Sequence, residues 1–379
     1  MDRNKLELHV GSLIRLPETD APVLSCYVPV KDGKLANRRA LDERIREIGQ
    51  SLEGEERPLF DEAIAAVDGW LENLHPEAKG AAVFSREGTQ PFFLGLQFRV
   101  PLPTWLVLDS TPNIYHLVEL KETYDRYIVV IATETVAQIL EVNLGSVTQR
   151  VWFERPEFRG RVGREWTKGH YASHRRDRSR RFLEEQIELV KRLAAAGGHS
   201  HLVIAGEPQS IDIIRRALPQ ALRRSIVDVG RASGDESRAD VLAQTLAPFI
   251  AARECEQLAT SDRLFRELKT GGLAIAGADA ALRALGHAQA DKLILSRDWD
   301  PVPGWRCTDC DAIGAGAAVL ALCSQCGAAE IQRFDAREEM VKLAEQQGCE
   351  IEITAEERLT RIGGVGMLLR YRSYSSAGA

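Results

Sequence analysis

No stretch of this sequence stays apolar long enough to cross a bilayer. The longest uncharged run, Ala312 to Ala329, is broken by Gly314, Gly316, Ser324, Gln325, Gly327 and two cysteines, whereas a spanning helix needs about 20 predominantly apolar residues. Met1 to Leu16 lacks the uninterrupted apolar core of a secretory signal, because Asp2, Arg3, Lys5, Glu7 and Arg15 are spread through it. Neither export nor membrane insertion is expected, and the cytoplasm is the expected location. Internal repeats and low-complexity tracts are missing too, which excludes a solenoid and a compositionally disordered segment. An overall excess of positive charge is likewise absent: the formal net charge is −6. A surface coated throughout for nucleic acid is thereby excluded, and any such binding must come from a local patch.

What is present is an ordinary globular composition, 44% hydrophobic and 27% charged over 379 residues, too long for one core and sufficient for three. Val23 to Pro29 reads as a buried strand, followed by an amphipathic helix over Arg38 to Leu52 with Leu41, Ile45 and Ile48 at helical spacing. Further strands are predicted at Gly80 to Phe84, Pro91 to Phe98, Trp105 to Leu108 and Arg126 to Ala132. Ala137 to Asn143 and Ser146 to Phe153 flank Leu144-Gly145 as a hairpin. Helix is expected over Leu183 to Ala194, stopped by Gly197-Gly198, then around Ile211 to Leu222, and from Ser237 to about Leu258; strands at His201 to Ala205 and Ser225 to Val229 alternate with these helices. The last part reads as strand Leu273 to Ala276, helix Asp279 to Leu285 with Asp279 as its N-cap, strand Lys292 to Ser296, helix Ala336 to Gln347, and strands near Glu350 to Thr354 and Val365 to Tyr371. The expected fold class is α/β, with mixed sheets flanked by helices in three domains: 1–132, 133–258 and 259–379.

Seven cysteines include two Cys-x-x-Cys pairs, Cys307/Cys310 and Cys323/Cys326, while Cys26, Cys255 and Cys349 stand singly. The paired spacing is that of a zinc ribbon, in which four thiolates close a tetrahedron and leave no position for water or substrate. Structural Zn2+ in an insert over 303–330 is the expected cofactor. Two redox-active pairs, free thiols or iron with four sulfur ligands are the alternatives.

A second feature is the segment 159–181, expected as a basic loop. It holds nine cations, Arg159, Arg161, Arg164, Lys168, Arg175, Arg176, Arg178, Arg180 and Arg181, against Glu165 and Asp177. Trp166, His170, Tyr171 and His174 are interleaved, so stacking surfaces lie among phosphate-seeking groups, the mixture suited to structured RNA. A solvated charged loop leading into a surface helix is the plainer reading of the same run. His170, His174, His199 and His201 match no known ligand spacing, and Gly363-Gly364-x-Gly366 reads as a tight turn between strands rather than a nucleotide loop.

Three stretches together resemble the archaeal and eukaryotic class-1 peptide chain release factors and their relative Pelota. Phe265 to Ser296 is similar to that family's C-terminal domain, which has a kink-turn-binding ribosomal-protein fold. The four cysteines fall where archaeal members carry a zinc minidomain, and Glu338 to Thr354 with Ile362 to Tyr371 resembles the family's ending. Arg178-Ser-Arg-Arg-Phe182 looks like the sequence that follows the family's Gly-Gly-Gln loop, yet no Gly-Gly-Gln exists anywhere in this chain. Nor is there an Asn-Ile-Lys-Ser motif of the stop-codon readers.

The resemblance implies a transfer-RNA mimic that fills the ribosomal A site without reading a codon, as Pelota-like rescue factors and bacterial hibernation factors of this superfamily do. Its implied partners are small- and large-subunit ribosomal RNA and a translational GTPase such as elongation factor Tu. With the Gly-Gly-Gln motif missing, no enzymatic activity is expected. The alternative is a peptidyl-tRNA hydrolase or nuclease using the altered loop, with His170, His174 or Asp177 as candidates.

Overall fold

The computed structural model describes residues 1–133, 135–154, 168–230, 232, 237–300, 302–316 and 322–371, apart from the side chains of 154–180, 228, 229 and 238. It is mixed α/β. Two compact units emerge, one formed by Arg3–Thr123 with the chain from Glu254 onward, the other by Tyr124–Arg253.

The first unit opens with α1 (Arg3–Ile14), β1 (Val23–Lys31), the short β2 (Lys34–Leu35), α2 (Arg38–Ser51), α3 (Glu56–Leu71), β3 (Gly80–Arg86), β4 (Phe92–Phe98), β5 (Trp105–Asp109) and α4 (Tyr115–Thr123). β1 lies between β3 and β5, antiparallel to both, and β4 extends the sheet beyond β3. Leu24, Cys26 and Val28 of β1 meet Phe60, Ala63 and Val67 of α3, so alternate strand residues and one helical stripe share a core. α2 begins where Asn37 accepts the Ala40 N–H at 3.1 Å, a side-chain N-cap.

The second unit contains β6 (Tyr127–Ala132), β7 (Val136–Asn143), β8 (Ser146–Glu154), α5 (Lys168–Ala195), β9 (His201–Gly206), α6 (Pro208–Ala217), α7 (Gln220–Arg224), β10 (Ile226–Gly230) and the first half of α8 (Arg238–Thr270). Its sheet order is β10-β9-β6-β7-β8, with β10, β9 and β6 parallel and the last two pairings antiparallel. The β7–β8 hairpin turns at Leu144 (φ 45°) and Gly145 (φ 66°), the two positive φ values that a two-residue turn of matching twist demands. Leu183, Ile187 and Val190 of α5 and Ile214 of α6 cover one face of the sheet. Val241 and Phe249 of α8 cover the other, with Phe249 stacked on Tyr127 at 4.3 Å between ring centroids.

After α8 the chain returns to the first unit through β11 (Ala274–Ala276), α9 (Ala278–Gly286), β12 (Ala290–Ser296), β13 (Pro303–Cys307), β14 (Ile313–Ala315), β15 (Ile331–Asp335), α10 (Ala336–Gln346), β16 (Glu350–Thr354), α11 (Glu357–Arg361) and β17 (Val365–Leu369). One sheet runs β11-β17-β12-β16, with β12 and β16 parallel as a βαβ unit requires. A separate three-stranded sheet, β14-β13-β15, is inserted between β12 and α10.

Tyr127–Ala132 pairs with β7 and β9 and so belongs to the second sheet. Two particulars differ from the sequence reading. α8 runs to Thr270 rather than about Leu258, through Pro248, because Leu264 and the partly buried Leu268 are held in the core of Ile294 and Leu368. Asp279 is not the N-cap of α9; Gly277 is, at φ 92°, while Asp279 sits in the first turn and accepts the Ala315 N–H at 3.1 Å. Among the described residues no helix is long and apolar enough to cross a membrane.

Candidate functional site

The four-cysteine cluster is built by two knuckles of equal design. Cys307 ends β13; the chain then turns so that Asp311 N–H donates to Cys307 O (3.1 Å) and Cys307 N–H donates to Ala312 O (2.9 Å). In the second knuckle Gly327 N–H donates to Cys323 O (2.9 Å) and Cys323 N–H to Ala328 O (2.7 Å). The residue after each second cysteine takes positive φ, Asp311 at 55° and Gly327 at 75°, which is what folds both sulfurs of a pair to one side. Asp tolerates that conformation by local hydrogen bonding and Gly by lacking a Cβ.

All four Sγ atoms lie within 4.8 Å of one another. Cys307 Sγ is 3.5 Å from Cys326 Sγ, and Cys310 Sγ is 3.6 Å from Cys323 Sγ. A tetrahedron of sulfurs at the Zn–S bond length has an edge of about 3.8 Å, whereas a disulfide requires about 2.05 Å. The cluster therefore fits one tetrahedral ion and no disulfide within it, and all four cysteines are free. Backbone N–H groups of Cys326 and Gln325 aimed at Cys323 pull its thiol down, while hydrogen bonds among the neighbouring sulfurs push the Cys310 and Cys326 thiols up. Cys307, Ala312 and Cys323 are the buried residues here, with Trp305 and Ala328 packed on them. So small a core leaves cross-linking through a metal as the natural stabiliser. Among the described residues this is the one group of His, Cys, Asp or Glu with metal-ligand spacing.

The basic segment divides in two. Arg159, Arg161, Arg164 and Trp166 lie outside the described residues. Lys168, His170, Tyr171, His174, Arg175, Arg176, Arg178, Arg180 and Arg181 fall on α5, a helix of 28 residues, about 42 Å long, that begins at Lys168. The sequence reading placed them in a loop. The helix starts earlier than its apolar stripe because arginine and lysine are themselves good helix formers, so the polar turns propagate from the packed half. Arg181 is exposed.

Of the remaining histidines, His199 has its ring 3.7 Å from Glu141 Oε1, and Arg126 Nε donates to the same oxygen at 2.6 Å. Burial, reinforced by the Arg126 charge, pushes the His199 pKa down, so the ring stays neutral. His201 is buried on β9 with its ring edge-on to Phe249 at 5.4 Å. Gly363 and Gly364 have φ of 96° and 74° and form a tight turn, but one that leads from helix α11 into β17 rather than from strand to strand as expected.

Sequence reasoning missed α1, β2, α3, α4, α11, the strands β13 to β15 and a buried carboxylate, Glu338, on α10. Glu338 Oε2 accepts the Tyr115 N–H at 3.1 Å, and Arg337 lies 4.2 Å from the centre of the Tyr115 ring. No local pattern marks these residues, since their partners are more than two hundred positions away.

Residues 112–249, from the approach to α4 through the first half of α8, match the model of bacterial archaeo-eukaryotic release factor family 10. No curated protein matches the chain. Among solved structures, an archaeal translation termination factor, aRF1, is similar at 16% identity over 98% of this chain and 99% of its own, with a TM-score of 0.27. Pelota from Archaeoglobus fulgidus is similar at 14% identity over 77% and 79%, with a TM-score of 0.34. Dom34 from S. cerevisiae is similar at 10% identity over 78% and 81%, with a TM-score of 0.42.

Proposed function

We infer, from the match of residues 112–249 to bacterial archaeo-eukaryotic release factor family 10, that this chain is a cytoplasmic translation factor that binds the ribosome. It occupies the A site as a transfer-RNA mimic, in hibernation or in rescue of stalled ribosomes, and it reads no codon. The family match over the central unit carries this reading.

The absence of Gly-Gly-Gln from the whole sequence supports a non-hydrolytic role. Where the family places glycines, this chain has Arg175-Arg176-Asp177 or Gly169-His170-Tyr171, and all six lie on the backbone of α5. At Arg175-Arg176-Asp177, inside the helix, the backbone N–H groups are committed to internal hydrogen bonds and offer none to position water, whereas Gly169-His170-Tyr171 stand in the first turn, whose N–H groups have no intrahelical partner. The nine cations of 159–181 supply phosphate contacts to ribosomal RNA. The four cysteines hold structural Zn2+, which cross-links the β13–β15 sheet and takes no part in chemistry. A translational GTPase is the protein partner proposed for delivery.

The test is co-sedimentation with ribosomes across a salt series, for the wild type and for a variant with Arg175→Ala, Arg176→Ala and Arg178→Ala. The wild type is expected to sediment with ribosomes, and the variant to bind more weakly with a shallower salt dependence. A wild type that stays in the supernatant at low salt overturns the reading.

A further inference from the structure

The cations of the second unit are not confined to the segment 159–181. The helices on one face of its sheet, α5, α6 and α7, carry twelve Lys and Arg against five Asp and Glu. Seven of the twelve lie outside the arginine-rich stretch 175–181, and five of them share a location that the topology dictates.

β6, β9 and β10 are parallel. A chain that leaves one parallel strand and enters the next must bring its helices back in the opposite direction, so α5 and α6 both end where β9 and β10 begin. Arg192 is in the last turn of α5, Arg215 and Arg216 in the last turn of α6, and Arg223 and Arg224 in the last turn of α7. β9 starts at His201 and β10 at Ile226, and the backbone closes this end with Leu202 N–H donating to Ser225 O at 2.9 Å. The last turns of three helices therefore place five arginines towards one end of the sheet; Arg215 is half-buried, the other four exposed.

Cations near a helix C-terminus also offset the macrodipole, and one per helix serves that purpose. Here α6 and α7 each carry an adjacent pair. Arg192, Arg223 and Arg224 are exposed and have no ion pair among the described residues, and Arg216 is held only by an exposed pair with Asp212 at 2.7 Å. Unpaired, exposed guanidinium groups repel one another unless an anion sits among them. At the helical rise per residue, Arg192 on α5 lies about 25 Å along the axis from Arg175. A small anion cannot reach both regions; a polyanion with regularly spaced phosphates can.

We propose that Arg192, Arg215, Arg216, Arg223 and Arg224 form a second phosphate-binding patch for folded RNA at the end of the central sheet where β9 and β10 begin, about 25 Å along α5 from Arg175. The proposal rests on the ribosome-binding reading and extends it: the central unit grips ribosomal RNA at two places along α5. No base specificity is implied, since these contacts go to the backbone.

The experiment compares the full-length wild type, an Arg223→Gln/Arg224→Gln variant, and a variant that adds Arg215→Gln and Arg216→Gln. Each is tested against intact ribosomes and against deproteinised ribosomal RNA, over a salt series. The fourfold variant is expected to bind both probes roughly tenfold or more weakly at moderate salt, with the salt slope shallower by roughly two to three. The double variant, whose side chains make no ion pair, controls for folding and is expected to show about half of that change in slope. Unchanged affinity and slope on ribosomal RNA overturn the patch, whether or not ribosomes are bound. Weaker ribosome binding at an unchanged slope also overturns it, because that outcome marks a contact with ribosomal protein. Failure of the wild type on ribosomes alone refutes the ribosome reading, while the naked-RNA arm still decides the patch.

Discussion

Glu338 Oε1 accepts a hydrogen bond from the backbone N–H of Ile114 at 2.6 Å, joining the start of α10 to the start of α4 across 224 positions of the chain. The second oxygen takes the Tyr115 N–H, so one carboxyl caps the first turn of α4 from another part of the fold. Lys121 to Glu345, at 2.5 Å, and Arg297 to Glu119, at 3.4 Å, tie the same helix further along.

Burial pushes the Glu338 carboxyl up from 4.5 to about 8, against the pull of the two N–H groups. Between these values the folded chain holds a proton that the unfolded chain releases. This group's contribution to stability is therefore complete below about 4.5, declines as pH rises, and levels off above about 8. Denaturant unfolding at pH 5, 7 and 8.5 is expected to show that decline, on the order of a few kcal/mol, and Glu338→Gln is expected to flatten it. Glu338→Ala, which leaves two N–H groups unmet, is expected to cost about 2–4 kcal/mol. A wild type and Gln variant with the same pH dependence would refute the assignment.

Metal removal is expected to act locally. Native mass spectrometry should find one zinc per chain, lost on Cys310→Ser or on strong chelation. Without it, amide exchange over 303–335 is expected to accelerate roughly tenfold or more, while the sheet of β6 to β10 keeps its protection. Uniform loss of protection across the chain would contradict a local structural role.

Peptide release offers an independent check on the missing Gly-Gly-Gln. Ribosome–nascent chain complexes incubated with the wild type are expected to release peptide at the rate of buffer alone. Release that disappears when His170, His174 and Asp177 are changed to Ala would assign hydrolytic chemistry to α5.

Gly206 closes β9 at φ 128°, and a Cβ there would collide with the carbonyl oxygen of Ala132, its partner on β6. Gly206→Ala combines backbone strain with a clash that a parallel strand pair cannot relieve by rotamer change. It is expected to destabilise the chain by about 2–4 kcal/mol in denaturant unfolding. A cost below about 1 kcal/mol would mean that the strand end relaxes freely.

Much of this protein was determined by its sequence at short range. The hairpin at Leu144-Gly145, the stop at Gly197-Gly198 and both cysteine knuckles depend on neighbours a few positions apart, so their geometry is written where they stand. The alternation of strand and helix was legible for the same reason, since periodicity is a local property. Tertiary structure decided the rest. α8 outran its predicted end because Leu264 found a core made by distant strands, and the expected loop at Lys168 became helix as an extension of a packed one. The carboxylate of Glu338 acquired its role from a backbone that lies 224 positions away. The arginines of three helix ends became one patch only because parallel strands return every helix to the same end of the sheet. Local order follows from local sequence; which distant groups meet follows from burial and chain direction, and those exist only in the folded molecule.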